Sequence, residues 1–401
     1  MSHIRCYSTT TNKTQLHLSI QNIASRSSKD FLSQLHSCLD QIHFNPVKNG
    51  THQRIVKITL FTSCKDKADY LRKMNLMEET FSQSVEYNAP ASIACQPPID
   101  CETMMEAWLM DYSTTEYEFT FTQSNQASFL HVDSPGFSCL FSSQYAAKHD
   151  TFKENTFETF GLLDATMREN GFDYSNILRQ WNYIENIINL ETANDTHLQN
   201  YQIFNDLRSI YYEKSDFKKG YPSATGIGIE HGGCTIEAIA FKEKEVNSVK
   251  PVTNSLQVDA HSYSKTVLIG KAIEEIKRIS TPKFERGKYV HLGDVGFLFI
   301  SGTASIVGEQ TVFTDDVAKQ TLTTFRNIDH LISMENLNNN KISVVSKPQL
   351  LNYRVYLKNE SDYAIVKSLC DDHYRSGNGF IVKADICRNN LLVEIEANYL
   401  V

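Results

Sequence analysis

The 401-residue sequence lacks the features that mark membrane, exported and nucleic-acid-binding proteins. No stretch approaches the 18 continuous apolar residues that a membrane-crossing helix needs, so no membrane partner is expected. Residues 1–13 are polar and lack the apolar centre of a secretory signal, which predicts a cytoplasmic protein. The net charge of −8 comes from 47 acidic and 39 basic residues without a basic block, so nucleic acid is not an expected partner.

The sequence also lacks the spacing of a metal finger or a dinucleotide-binding loop. Its nine cysteines are scattered without a Cys-x-x-Cys pair, which favours reduced thiols in the core. His231-Gly-Gly-Cys234 and Asp371-Asp-His-Tyr374 are isolated, and no second cluster completes a coordination shell. Gly226-Ile-Gly228 is followed by a predicted strand, whereas a dinucleotide-binding loop leads into a helix. We therefore expect no metal and no cofactor.

The most informative segment present is 297–310, in which four apolar residues run into a small polar patch. The run is short, lacks the helical period and is flanked by Gly296 and Gly302, which favours a strand buried on both faces. Apolar residues at three-to-four spacing over 315–332 then predict an amphipathic helix. The polar end of the strand is expected to open into a site.

The sequence repeats an order of strands and helices three times. Ser142-Ser-Gln144 lies 159 positions before Ser301-Gly-Thr303, and Ile236-Glu-Ala238 lies 159 positions before Ile395-Glu-Ala397. In the first repeat, Glu106-Ala107 precedes Glu237-Ala238 by 131 positions. The constant offset at both ends of the repeat predicts related units rather than chance similarity.

These repeats predict an α+β fold of three units, each a mixed β-sheet with helices on one face. The predicted boundaries are 1–125 for a degenerate first unit, 126–250 for the second and 291–401 for the third, with 251–290 as an inserted connecting segment. The first helix of the chain is predicted over 28–42. One chain is expected to form a compact pseudo-threefold assembly, which would act as a monomer.

The repeating unit resembles the RidA/YjgF superfamily, whose members carry Phe-x-Ser-Gly-Gln after a first strand and close with Pro-Ala-x-Ser and Val-Glu-Ile-Glu-Ala. The matching segments are Phe141-Ser-Ser-Gln144, Ile300-Ser-Gly-Thr303, Ala89-Pro-Ala-Ser92, Tyr221-Pro-Ser-Ala224 and Val393-Glu-Ile-Glu-Ala397. The resemblance implies a pseudo-trimer of RidA/YjgF-like units, with pockets at the interfaces between units. Because one chain supplies all three units, the pockets are free to differ.

From about residue 135 onward the chain resembles the chorismatases, RidA-related enzymes that hydrolyse the enolpyruvyl ether of chorismate. The segments that carry this resemblance are Gln180-Trp-Asn-Tyr183, Tyr201-Gln-Ile-Phe-Asn-Asp-Leu-Arg208, Tyr221-Pro-Ser-Ala-Thr-Gly-Ile-Gly228, Pro282-Lys-Phe-Glu-Arg286, Ser301-Gly-Thr-Ala-Ser-Ile-Val-Gly308 and Ala384-Asp-Ile-Cys-Arg388. The resemblance implies release of pyruvate, leaving a hydroxybenzoate or a dihydroxycyclohexadiene carboxylate for secondary metabolite or pigment biosynthesis.

A pocket for chorismate, a small dianion, requires guanidinium groups that grip carboxylates. Arg208, Arg286 and Arg388 are the candidates, although each could instead form a surface ion pair. Further substrate contacts are expected from polar, aromatic and small residues of the same motifs, namely Tyr201, Tyr263, Asn182, Gly226, Ser301 and Thr303.

Cleavage of an enol ether requires an acid that protonates the vinyl carbon, and a carboxyl group in a partly dry pocket suits this role. Family members carry Gly-His-Glu after the Thr-Ala-Ser segment, with the Glu as acid, whereas this chain reads Gly308-Glu309-Gln310. Gln310 therefore occupies the matching position. Glu309, through a one-residue shift, and Glu394 on the last strand are the alternative acids.

Two further functions stay open at this point. A non-catalytic protein that binds chorismate or a related aromatic acid is favoured by Gln310, because an amide cannot act as a carboxylic acid. A RidA-like hydrolase of reactive imines is the other alternative. The closing Pro-Ala motifs argue against it, because they carry Ser92 and Ser223 rather than the arginine with which that superfamily holds a carboxylate.

Overall fold

A computed structural model of the chain describes residues 17–45, 51–113, 116–193, 196–244, 248–269, 271–276, 279–292, 295–375 and 377–401. Over these ranges the fold is mixed α+β, with three larger sheets, as predicted. None of the described helices is long and apolar enough to cross a membrane.

The first sheet contains four strands in the order β1-β4-β2-β3. Its elements are β1 (His17–Ala24), α1 (Phe31–Leu39), β2 (Thr51–Thr62), α2 (Lys67–Ser82), β3 (Ala91–Ala94) and β4 (Thr103–Ser113). Asp30 and Asp66 cap the two helices, because their side chains accept hydrogen bonds from the backbone N–H groups of Ser33 and Asp69. The helix predicted over 28–42 is confirmed as α1, and β1, which was not predicted, precedes it and pairs with β4.

The second sheet contains six strands in the order β11-β8-β12-β7-β6-β5. This part of the chain contains the strands of the sheet, two helices and a separate two-stranded hairpin. In chain order they are β5 (Glu118–Ser124), β6 (Ala127–Asp133), β7 (Phe137–Ala146), α3 (Phe152–Glu169), β8 (Ile177–Glu185), the hairpin β9 (Leu190–Ala193) and β10 (Thr196–Gln199), α4 (Asn200–Tyr212), β11 (Ser223–Ile229) and β12 (Cys234–Glu243). Phe160 of α3 and Phe204 of α4 pack with Ile236 of β12 in one apolar cluster.

The third sheet also contains six strands, in the order β13-β14-β15-β20-β18-β19. Its elements are β13 (Val249–Val252), β14 (Gly287–Leu292), β15 (Val295–Ala304), the hairpin β16 (Ile306–Val307) and β17 (Gln310–Thr311), α5 (Val317–Leu331), α6 (Met334–Asn339), β18 (Gln349–Leu357), α7 (Tyr363–His373), β19 (Gly379–Lys383) and β20 (Val393–Leu400). Spacing of three and four residues places Thr321, Phe325 and Ile328 of α5 in the interior, and Phe325 and Ile328 belong to the core of this sheet.

The three sheets share one order of strands. Each has a parallel pair at one edge, formed by β2 with β3, β8 with β11 and β18 with β19. An antiparallel strand follows in each case, and the 159-residue offset recurs in the pairing, since Gln144 faces Ile236 and Thr303 faces Ile395. The spacing found in the sequence therefore corresponds to equivalent strand registers.

Three buried acid–base pairs connect the sheets to one another in a closed circuit. Each basic side chain belongs to one sheet and its carboxylate partner to the next. The pairs are Lys57 with Glu237 at 2.8 Å, Arg179 with Glu396 at 2.8 Å and Arg354 with Glu106 at 2.7 Å. All six side chains are at most 4% exposed, so each charge depends on its partner for compensation.

Candidate active site

A cavity lies where the second and third sheets meet, and residues of the ranges 263–269 and 282–286 contribute to its lining. Its space amounts to about 800 Å³ when the open mouth is included. Side chains of α4, the strands β11, β15 and β20, and the segments 263–286 and 387–391 form its walls. The cavity is therefore assembled from parts of the chain that are far apart in sequence.

Helix α4 forms one wall of the cavity and is itself buried on nearly all sides. Apolar residues such as Ile203 and Leu207 face the sheet, while Asp206 holds the segment that covers the opposite side. The Asp206 carboxylate accepts hydrogen bonds from the backbone N–H groups of Ile273, at 3.0 Å, and Ser280, at 2.9 Å. This attachment fixes the inserted segment over the residues of α4 that line the cavity.

Two buried arginines face this cavity without a carboxylate partner among the described residues. Arg208 is 2% exposed and donates to the side-chain oxygen of Asn205 at 2.6 Å, and its Nε has no hydrogen-bond partner there. Arg286 is 3% exposed and donates to Tyr263 Oη and to the carbonyl of Val258, both at 2.6 Å. Burial lowers the pKa of Arg208, but a guanidinium stays charged at neutral pH. The cavity is consequently suited to an anion.

Tyr263 and Arg388 form the outer part of the wall. The Tyr263 ring lies between two guanidinium groups, 5.5 Å from Arg286 and 5.4 Å from Arg388. Arg388 is half-buried and donates to the carbonyl of Glu309 and to Thr311. The Glu309 carboxylate in turn accepts hydrogen bonds from the backbone and hydroxyl of Ser264. These contacts join the inserted segment to the β16–β17 hairpin.

Glu394 places a carboxyl group at the inner end of the cavity. It is 4% exposed, lies on β20 opposite Ala304, and has no hydrogen-bond partner among the described residues. Burial, reinforced by the nearby negative charge of Glu396, raises the pKa of Glu394 to about 8. The carboxyl group is therefore protonated at neutral pH.

Glu396 lies two residues further along the same face of β20 and has the opposite protonation state. Burial alone would raise its pKa, but the charges of Arg354 and Arg179 and hydrogen bonds from Thr225 and Trp181 hold it at about 2. A permanent negative charge thus lies beside Glu394. Two carboxyl groups with separated pKa values are a common arrangement where one of them must donate a proton.

Comparison with known proteins identifies the family. A model described as chorismatase FkbO/Hyg5-like, N-terminal, matches residues 112–240. The chain is 30% identical over 232 residues to 3-hydroxybenzoate synthase of Streptomyces hygroscopicus, covering 56% of this chain but only 64% of that relative. It is 30% identical over 259 residues to a chorismatase of Streptomyces rapamycinicus, covering 63% of this chain and 70% of the relative. The chain belongs to the chorismatase family.

A solved chorismatase has the same fold. Its crystal structure aligns with a TM-score of 0.69 and 21% identity, covering 97% of this chain and all of that one. The alignment also covers the first sheet, although the sequence of that part of the chain resembles the chorismatases only in its order of strands and helices. The fold of the chorismatases therefore accounts for almost the whole chain.

In this chorismatase-family chain, seven of the twelve predicted site residues line the cavity, namely Arg208, Arg286, Arg388, Tyr201, Tyr263, Gly226 and Glu394. The absence of a side chain at Gly226 leaves room for the Tyr201 ring, because a Cβ there would lie 3.1 Å from it. The structure thus brings together the three arginines and one of the three proposed acids. Their roles remain predictions.

The other five predicted residues do not line this cavity. Asn182, Ser301 and Thr303 are buried and hydrogen bond to backbone carbonyls, so they support the strands beneath it. Gln310 is exposed on β17. Glu309 is half-buried and points to Ser264, whose hydrogen bonds lower the pKa of Glu309 and keep it ionised. Neither Glu309 nor Gln310 therefore lines the cavity that contains Glu394.

Several residues that line the cavity were not among the predicted site residues, and some of them lie close to predicted residues in sequence. Asn205 is 1% exposed, lines the cavity, and its Nδ2 has no partner among the described residues. Its position one helical turn before Arg208 was the available signal. Phe284 and Cys387 also line the cavity, two residues before Arg286 and directly before Arg388 in sequence. Burial raises the pKa of Cys387 to about 12, so its thiol is neutral.

Proposed function

We propose that this chain hydrolyses the enolpyruvyl ether of chorismate to pyruvate and a hydroxybenzoate or a dihydroxycyclohexadiene carboxylate. The observation that carries the proposal is a protonated, buried carboxyl group, Glu394, in one cavity with two buried arginines that lack carboxylate partners within the described part of the chain. The names of the relatives, chorismatase and 3-hydroxybenzoate synthase, support the same reaction.

In the proposed mechanism, Arg208 and Arg286 bind the two carboxylates of chorismate and orient its enol ether toward Glu394. Glu394 donates its proton to the terminal vinyl carbon, which leaves an oxocarbenium ion at the ether carbon. Water then adds to that carbon and returns a proton to Glu394, and the hemiketal breaks its bond to the ring oxygen to release pyruvate and the dihydroxycyclohexadiene carboxylate. If the ring hydroxyl adds instead and returns its proton to Glu394, the cyclic ketal opens by cleavage of a ring carbon–oxygen bond, and loss of a ring proton gives the hydroxybenzoate and pyruvate. The ionised Glu396 lies close enough to favour the developing positive charge and to raise the proton affinity of Glu394.

Incubation of the purified protein with chorismate, with pyruvate and ring products measured separately, tests the proposal. We expect pyruvate release by the wild type and a loss of about 10²–10⁴-fold in Glu394→Gln, because the amide cannot donate the proton. Glu309→Gln and Gln310→Glu serve as controls and should leave the rate within a few-fold of wild type. Binding of chorismate without pyruvate release would instead support the non-catalytic alternative.

We further propose that the chain consists of three RidA/YjgF-like units, 1–125, 126–250 and 291–401, in a pseudo-threefold arrangement within a monomer, with 251–290 as the connecting segment. The sheets extend across these boundaries, because β5 belongs to the second sheet and β13 and the start of β14 belong to the third. The shared strand order and the closed circuit of three acid–base pairs support this arrangement. Sedimentation equilibrium of the full chain provides the test. A mass of one chain at micromolar concentration is expected, whereas a trimer would contradict an internally complete assembly.

A further inference from the structure

Three potential metal ligands converge outside the cavity, where the inserted segment meets the start of β14. One ligand atom each of Asp259, His261 and Glu285 lies within 4.8 Å of the other two. His261 Nε2 and Glu285 Oε2 are 3.9 Å apart, which exceeds a hydrogen-bond distance. The facing atoms of an imidazole and a carboxylate thus leave a gap between them rather than forming a direct bond.

Glu285 is held in position from several directions. Its side chain is 6% exposed, and Oε1 accepts the backbone N–H of Tyr221 at 3.0 Å. Its backbone is fixed as well, because its N–H bonds to the carbonyl of Pro222 and its carbonyl accepts the Ser301 hydroxyl. Gly220 provides the space for Oε1, since a Cβ at that position would lie 2.7 Å away. One ligand is therefore placed in advance of any ion.

The Glu285 carboxylate has little other compensation for its charge. The nearby Lys288 ammonium donates to the carbonyls of Lys219, Gly220 and Tyr221, at 2.6, 2.9 and 2.9 Å, and so uses all three of its N–H groups. Among the described residues, His261 is the only ion-pair partner of Glu285.

We propose that Asp259, His261 and Glu285 bind one divalent transition-metal ion, for which Zn²⁺ is the best match. Zinc accepts both imidazole nitrogen and carboxylate oxygen as ligands, whereas Mg²⁺ and Ca²⁺ prefer all-oxygen shells. Bonds of about 2.0–2.2 Å require the three ligand atoms to approach one another by roughly 1 Å. Asp259 and His261 are only half-buried, so their side chains have room for this movement. Water would complete the coordination shell.

An ion at this site would stabilise one wall of the cavity. His261 lies two residues before Tyr263, and Glu285 lies directly before Arg286, so the metal would join the two segments that carry these cavity residues. The same segments are already connected by the Arg286–Tyr263 hydrogen bond of 2.6 Å. The ion takes no part in the proposed reaction, and its binding is independent of whether the chain acts on chorismate.

Isothermal titration of the chelator-treated, dialysed full-length protein with ZnCl₂ tests the site, with MgCl₂ in parallel. We expect saturable binding of one Zn²⁺ ion and a rise in Tm with ZnCl₂, without either effect from MgCl₂. Asp259→Asn and His261→Gln should each weaken zinc binding at least about tenfold. His373→Gln is the matched control, because His373 also lies beside a carboxylate, that of Asp329 at 3.3 Å, and belongs to no three-ligand group among the described residues.

Absence of saturable zinc binding would overturn the proposal, as would wild-type affinity in both Asp259→Asn and His261→Gln. Loss of binding in His373→Gln with unchanged binding in the other two variants would assign the ion to a different place and would also overturn it. Circular dichroism and melting of each variant without zinc identify any folding defect. Because the altered side chains of Asp259 and His261 are half-buried, we expect both variants to fold, and either one alone is sufficient for the test.

Discussion

At the scale of single residues, the environment of each carboxyl group decides its chemistry. Glu394 and Glu396 are equally buried on one strand, yet the pKa is about 8 for Glu394 and about 2 for Glu396. The difference arises because Arg179 and Arg354 lie against Glu396, while Glu394 faces the cavity. Glu309, by contrast, stays ionised because hydrogen bonds from Ser264 lower its pKa. Only one of these carboxyl groups combines a proton at neutral pH with access to the cavity.

The raised pKa of Glu394 predicts the pH dependence of the reaction. The acid must carry its proton, so kcat/KM should be nearly constant below pH 7 and fall about tenfold per pH unit above about pH 8. Steady-state pyruvate release between pH 6 and 10 provides the measurement, with structural integrity confirmed by circular dichroism at each pH. A rate that rises with pH through this range would show that an ionised group, and not Glu394, limits the reaction.

Arg286 provides a second prediction at this scale. Arg286→Ala should weaken the binding of chorismate by about 2 kcal/mol, or roughly 30-fold in Kd, because a charge-assisted contact in a desolvated cavity is lost. Calorimetry provides the Kd. The matched control is Lys383→Ala, since Lys383 is exposed and lies 3.7 Å from Glu230, and this variant should bind as the wild type does. Equal affinities in the two variants would remove Arg286 from the binding site.

At the scale of elements, close approach between strands positions the acid. Gly302 of β15 lies where a side chain would overlap the Glu394 carboxyl group of β20, and its backbone N–H donates to Thr225 of β11 at 3.1 Å. The register of β15 and β20 shifts between Ile300 and Thr303, so this glycine falls at an irregularity in the pairing. The missing side chain at Gly302 of β15 therefore leaves the space that the Glu394 carboxyl group of β20 occupies.

Gly302→Ala tests this requirement for space. The added methyl group should displace the Glu394 carboxyl group and lower kcat at least about tenfold, with a smaller effect on KM, because the arginines remain in place. Gly136→Ala is the control, since a Cβ at Gly136 meets nothing within 4 Å, and its kinetics should match those of the wild type. Unchanged kcat in Gly302→Ala would show that the carboxyl group can move without loss of function.

At the scale of the whole molecule, buried ion pairs hold the three sheets in a defined arrangement. Arg354 of the third sheet pairs with Glu106 of the first and also donates to Tyr183 of the second, at 3.0 Å. A guanidinium that is 0% exposed therefore contacts all three sheets at once. Loss of such a charge would leave its partner buried and uncompensated.

Arg354→Met should consequently destabilise the protein by about 3–5 kcal/mol, measured by chemical denaturation. Addition of Glu106→Gln should recover part of this loss, because the second change removes the unpaired carboxylate. Arg168→Met is the control, since the Arg168 side chain is 73% exposed in its pair with Asp164 and should contribute less than about 1 kcal/mol. A similar effect of Arg354→Met and Arg168→Met would show that the circuit of ion pairs is not needed for stability.

The sequence alone determined the α+β class, the repeat and most of the cavity motifs, because strand alternation, helical spacing and a 159-residue offset are local or regular patterns. It did not reveal β1 or the β5–β6 hairpin, whose residues acquire their strand pairing from distant partners such as β4 and β7. Arg208, Arg286 and Arg388 were recognisable as residue types suited to a dianion.

Only the tertiary structure separated Glu394 from Glu309 and Gln310, because a carboxyl pKa depends on burial and on charges brought in from other sheets. Sequence spacing likewise could not bring Asp259 and His261 to Glu285, which follows 24 positions after His261 in the chain. The sequence specifies which chemical group each side chain carries. The folded arrangement of distant segments decides its protonation, its partners and its access to the cavity.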